Sequence, residues 1–109
     1  MPDSYLQVFT TIDSEDAATQ LARSIIDSRL AACAQVLGPI KSCYWWQGEV
    51  ETASEWICFI KTTTVRFEAL ADHIKANHSY DVPEITASPI THGSTDYLTW
   101  ISKETSATA

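Results

Sequence analysis

Apolar and polar residues along this chain fall into four extended segments and three helices. Residues 5–11 are rich in β-branched and aromatic types and predict a first strand. Asp13-Ser14-Glu15-Asp16 then reads as a helix start, with a capping side chain followed by acids in the first turn, where the helix dipole favours them. Ala18, Leu21, Ala22, Ile25 and Ile26 recur at three-and-four spacing and form the core stripe of that helix. Residues 33–46 make a long extended segment interrupted by Gly38-Pro39, and residues 49–62 make another. Gln47-Gly48 lies between them as a two-residue hairpin turn. Counting back from that turn sets Cys58 opposite Leu37, so no cross-strand disulfide is expected. Trp56, Cys58 and Ile60 share one face of the third strand, and Ile57 and Phe59 the other, the pattern of a strand buried on both sides.

Thr64 is placed to cap a second helix whose inner face carries Phe67, Leu70, Ala71 and Ile74. Residues 77–83 form a turn, and residues 84–90 a short strand that Pro89 assigns to a sheet edge or a bulge. Gly93-Ser94 breaks the chain and caps a last short helix, with Tyr97, Trp100 and Ile101 on one side. Residues 102–109 are small and polar and read as a frayed tail. The order is βαββαβ plus a terminal helix, an α+β, ferredoxin-like split βαβ arrangement. Its helices cover one face of an antiparallel sheet, and right-handed crossovers set the strand order 4-1-3-2.

The chain has 109 residues, one domain spanning 1–109 with a core from about 5 to 101. Apolar residues make up 45 %, enough for a packed interior. The net charge of −7 disfavours a nucleic-acid partner, which would be repelled at long range. An acidic surface also concentrates cations around it, although acidity serves solubility too. The first residues lack the basic-then-apolar pattern of a signal peptide, and no apolar run approaches the ~20 residues that span a bilayer. Cys33, Cys43 and Cys58 are odd in number with no CxxC spacing, which implies reduced thiols in the cytoplasm.

One length argument bears on assembly. A compact chain of this size has a radius of gyration of about 13 Å, so it is roughly 34 Å across. A fourteen-residue strand at ~3.3 Å per residue reaches about 46 Å. The two middle strands must bend back at Gly38-Pro39 or project, and their shared tip carries Tyr44, Trp45 and Trp46. A projecting ribbon with three adjacent aromatics is an aggregation hazard unless another copy buries it. These aromatics are the expected subunit interface. They could instead stack a nucleobase, but the net charge opposes that.

Several motifs carry a family resemblance. They are Thr10-Thr11 before an acidic helix start, Leu30-Ala31-Ala32-Cys33-Ala34, Tyr44-Trp45-Trp46-Gln47-Gly48 and Ile60-Lys61-Thr62. Further along come Tyr80-Asp81-Val82-Pro83-Glu84-Ile85, Pro89-Ile90 and Tyr97-Leu98-Thr99-Trp100. In that order and spacing, the chain resembles the CutA family of divalent-cation tolerance proteins from about residue 5 to 101. The resemblance implies a homotrimer with long ribbons pairing between subunits, an architecture like that of PII signalling proteins, a link to divalent metal, copper included, and no settled catalytic activity. Of the copper ligands it implies, a cysteine ending strand one and a His-His pair, the chain keeps only His78. Thr10 and Asn77 stand at the other two positions, and a single imidazole binds copper weakly.

The expected site is a cleft at one end of the sheet. With strands one and three taken as parallel, Thr10, Thr11, Gln35, Lys61, Tyr80 and Glu84 ring it, with both helix N-termini facing it and His78 as the metal candidate. Lys61 and Glu84 could equally form a partly exposed ion pair. His78 could simply cap the second helix, Tyr80 and Pro83 shape the turn, and Cys33 pack in core or interface. His73 and His92 read as solvated. No P-loop, GxGxxG, GxSxG or HExxH pattern occurs, and no organic cofactor is indicated. The leading expectation is a non-enzymatic trimer binding copper or another divalent cation at an edge or inter-subunit cleft. The alternative is a PII-like trimer binding an anionic metabolite or a protein partner, with an enzyme of unknown reaction third. No membrane association is expected.

Overall fold

The computed structural model describes residues 4–106. Its elements are β1 (Tyr5–Ile12), α1 (Glu15–Asp27), β2 (Cys33–Trp46), β3 (Glu49–Thr63), a 3-10 turn (Thr64–Arg66), α2 (Phe67–Ala76), β4 (Thr86–Ile90) and α3 (Thr95–Glu104). The sheet runs β2-β3-β1-β4 with every pairing antiparallel, which is the expected order and fold class. Pro89 sits on the edge strand β4, the position in a sheet that tolerates a residue without an N–H.

Local chemistry accounts for the elements. Ser14 caps α1 by accepting from the Ala17 N–H at 3.0 Å. At its other end Arg29 takes a left-handed φ of 60°, while Leu30 and Arg29 donate back to the carbonyls of Ile25 and Ile26. That closure is a Schellman motif, and it turns the chain directly into β2. Gln47 and Gly48 both have positive φ, as a two-residue turn matching strand twist requires. Val8 and Ile12 of β1 and Cys58 and Ile60 of β3 meet Leu21, Ile25, Leu70 and Ile74 of the helices in one core. Burial pushes the Cys58 thiol up to about 11, so it packs as a small apolar group.

Several boundaries differ from expectation. Thr64 does not cap α2: its hydroxyl donates to the Ser4 carbonyl, a 3-10 turn intervenes, and α2 starts at Phe67 with no side-chain cap. The fourth strand begins at Thr86, two residues later than expected, because Pro83 and Glu84 belong to the turn. The helix α3 carries through Glu104, into the stretch read as tail. Thr105 is buried beyond it, its carbonyl accepting from Arg66 Nε at 2.7 Å. The rest of that tail, 107–109, lies outside the described residues. His73 is not simply solvated, since its Nε2 meets Ser24 Oγ at 2.9 Å across α1 and α2.

The ribbon does not fold back. The molecule measures 46 × 27 × 21 Å with a radius of gyration of 14.6 Å. β1 ends at Ile12 opposite Trp56, whereas β2 and β3 stay paired from Ile40↔Glu55 out to Trp46↔Glu49. A register shift between Leu37 and Ile40 pairs Cys58 with Val36 rather than Leu37. Counting from the hairpin turn misses it because the irregularity at Gly38-Pro39 absorbs an extra residue of β2. All three cysteines are free.

Two substitutions test this packing. A Cβ on Gly38 would lie 2.5 Å from Trp56 Cδ1 and 3.0 Å from the Glu55 carbonyl, so Gly38→Ala should lose about 1–3 kcal/mol in denaturant unfolding. The Thr10 hydroxyl is fully buried with no hydrogen-bond partner, an atom that is costly to keep dry. Thr10→Val should therefore raise stability by about 1 kcal/mol, and a lowered thermal midpoint would show that the hydroxyl is in use.

Candidate functional site

The antiparallel pairing of β1 with β3 splits the expected ring of site residues in two. Parallel strands would have set Lys61 beside Thr10. Instead the β2–β3 hairpin reverses β3 against β1, and Lys61 pairs with Gln7, three to four residues, or about 10–13 Å, from Thr10 and Thr11. Lys61 Nζ donates to Gln35 Oε1 at 2.9 Å, with Cys33 opposite on β2. Lys61 and Glu84 form no ion pair. The pairs among the described residues are Arg23–Asp27 and Arg29–Glu104, and Glu84 instead accepts from Thr86 Oγ1 at 3.1 Å. The helix N-termini also separate, since α1 follows the end of β1 while α2 follows the end of β3.

The other expected residues do gather, at the end of β1. His78 follows α2 in the turn and spans two backbones. Its Nδ1 accepts from the Tyr80 N–H at 3.0 Å, which leaves Nε2 to donate to the Thr11 carbonyl at 2.7 Å. Both ring nitrogens are engaged, so His78 in this arrangement has no lone pair free for a metal. Ser79 Oγ donates to Asp13 Oδ1 at 3.3 Å, and the His78 and Tyr80 rings lie 4.8 Å apart. Thr10 turns its side chain into the core.

Tyr80 then reaches the foot of the ribbon, where its hydroxyl donates to Glu55 Oε2 at 2.7 Å. Burial, the hydrogen bond to Glu55 and the charges of Glu55 and Asp13 all push the Tyr80 phenol above its ordinary value. Glu55 is only 7 % exposed, and sequence reasoning passed over it. A signal was present: Glu55 shares its strand face with Ile57 and Phe59, and a carboxylate on an apolar face asks for a partner.

Between the ribbon and this turn lies a cleft of about 900 Å³, lined on one side by Tyr44, Trp45 and Trp46 and on the other by residues 79–82 and Glu84. Its carboxylates are Glu55, Asp81 and Glu84, and no lysine, arginine or histidine lines it. Trp45 is 75 % exposed and Trp46 54 %. Among the described residues no three His, Cys, Asp or Glu side chains come close enough together to hold a metal ion. The described residues of one chain therefore do not by themselves fit the copper centre that the family resemblance implies.

Comparison with known proteins places this geometry. The family model for the CutA1 divalent ion tolerance protein matches residues 6–104. The chain belongs to the CutA1 family. It is 45 % identical over 98 residues to the chloroplastic protein CutA 1 of Oryza sativa subsp. japonica, covering 90 % of this chain and 55 % of that one. It is 42 % identical to the divalent-cation tolerance protein CutA of Thermus thermophilus, covering 90 % and 95 %. Against the plant relatives the chain spans about half the length. The crystal structure of CutA1 from Oryza sativa superposes with a TM-score of 0.93 at 42 % identity, covering 96 % of each chain.

The Tyr80–Glu55 bond gives a pH signature. A phenol whose folded value is raised keeps its proton in the folded state after the unfolded chain has lost it. Its contribution is complete below about pH 10 and is lost as pH rises beyond that. Tyr80→Phe should destabilise the fold near neutral pH by about 1–3 kcal/mol, because Glu55 loses a donor. It should also flatten the fall in melting temperature between about pH 9 and 11. Equal alkaline slopes in the two proteins would remove Tyr80 from the linkage.

Proposed function

We propose that this protein serves divalent-cation tolerance without enzymatic chemistry, as a homotrimer in which a copper-class ion is held where the cleft of one subunit meets donors from its neighbour. The observation that carries the reading is the sign of the cleft: three carboxylates line it and no basic side chain does. A site of that charge concentrates cations and repels anions. The names of the Thermus relative and of the family model supply the divalent-cation role, as what those proteins are called.

Assembly follows from the ribbon. β2 is a sheet edge, and Leu37, Tyr44, Trp45, Trp46 and Val50 are exposed along the hairpin that extends past β1. Edge backbone and apolar side chains together favour pairing with another copy. A cation that needs four or more donors would draw the missing ones from that copy. His78 could join only by giving up one of its two backbone bonds. The free cysteines suit a reducing compartment such as the cytoplasm, and no described helix is long and apolar enough to cross a membrane. The PII-like anion alternative needs Lys61 and both helix N-termini around one cleft, and no observation favours it.

Native mass spectrometry with Cu(II) titration is the test. The expected result is a trimer carrying a stoichiometric copper adduct that is lost in the Asp81→Asn/Glu84→Gln double variant. A monomer would overturn the assembly. A trimer with no specific adduct would overturn the metal site and leave the assembly standing.

A further inference from the structure

We propose that the copies are joined head to tail through the two unlike faces of the ribbon, with Lys41 of one copy set on the Glu51 carboxylate of the next. The inference rests on the homotrimer proposed above and names the contact that closes it.

Strand register sorts the arm into two faces. From Ile40↔Glu55 outward to Trp46↔Glu49 the pairing is one to one, and directly opposed residues share a face. One face carries Tyr44 and Trp46 of β2 beside Glu49, Glu51 and Glu55 of β3. The other carries Lys41, Cys43 and Trp45 beside Val50 and Thr52, and there Cys43 Sγ meets Thr52 Oγ1 at 3.5 Å. Charge is fully separated between them. Every carboxylate of residues 40–55 lies on the first face, and the one basic residue of that stretch, Lys41, lies on the second.

Both faces need a cover, since Tyr44 and Trp46 are exposed on one and Trp45 and Val50 on the other. Pairing along the open β2 edge uses that strand's backbone and leaves the side-chain faces to find their own partner. Two copies related by a twofold axis pack one face on itself. Acidic face on acidic face sets three carboxylates against three, and like charges across an interface repel. Lysine face on lysine face leaves the acidic face and its two aromatics bare. The lysine face of one copy on the acidic face of the next covers both kinds. That contact is heterologous, so it repeats from copy to copy and closes as a ring, the symmetry of a trimer.

The pairing of Lys41 with Glu51 follows from what each carboxylate already does. Glu55 accepts from Tyr80, and Glu49 sits beside the Gln47-Gly48 turn. Glu51 is exposed, as Lys41 is, and neither enters the ion pairs among the described residues. Within one chain the two side chains leave opposite faces of the ribbon and do not meet. The contact uses neither Asp81 nor Glu84, so it stands apart from the metal test.

Subunit exchange between isotopically labelled and unlabelled full-length protein, read by native mass spectrometry, makes the test. Lys41→Glu and Glu51→Lys should each speed exchange at least about tenfold, because each sets like charges across the contact. The two changes combined in one chain should bring exchange back to within about threefold of the parent, since the swapped charges meet again only between copies. Both positions are exposed, and either single variant carries the test if the other does not fold. Exchange unmoved by the single variants would overturn the proposal and leave the trimer standing. A combined variant no slower than the singles would overturn it too. A parent protein that runs as a monomer would remove the assembly and this contact together.

Discussion

Strand length is the constraint on which the rest of this structure depends. β1 stops at Ile12, opposite Trp56, and from there outward β2 and β3 have only each other. A two-stranded ribbon without a covered face is marginal in water. What holds its base is a close packing of Trp56 against Gly38, where no side chain would fit, together with the register shift that follows. That irregularity is where the sheet proper, with its helix-covered face, gives way to a projecting arm. The elongated outline of the molecule follows from it.

The turn after α2 answers the same constraint from the other side. His78 ties it to the end of β1 through the Thr11 carbonyl, and Tyr80 ties it to the arm through Glu55. Two short hydrogen bonds thus brace the foot of the ribbon against the sheet, and the space left between brace and arm is the cleft. Because the brace ends on a buried carboxylate, the structural solution and the charge of the site are one feature. His78 therefore serves better as a fastener than as the metal ligand that its place in the motif implies.

Much of this was legible in the sequence, and the limits are specific. Helix stripes, the Ser14 and Ser94 caps, the Gln47-Gly48 turn and the edge position of Pro89 are local signals, and local chemistry expresses them directly. The strand order followed from handedness rules. The site failed where it depended on direction: the hairpin between β2 and β3 makes β3 run against β1, which carries Lys61 to the far end. Gly38-Pro39 announced an irregularity but not its one-residue shift, and register decides which residues face each other. Glu55 was missed because its partner Tyr80 lies 25 positions away and comes near only when the turn folds onto the arm.

The separation of charges bears on which ligand class the proposed site would suit. An anion site at the end of β1 would need the start of α1, but Glu15 and Asp16 already occupy that first turn and answer its dipole. The start of α2 lies at the opposite end of the sheet, with Lys61 held by Gln35. The cleft is left with carboxylates, aromatic faces and no competing base. Within a chain of net charge −7, that arrangement places a buried negative group where the long-range field already favours cations.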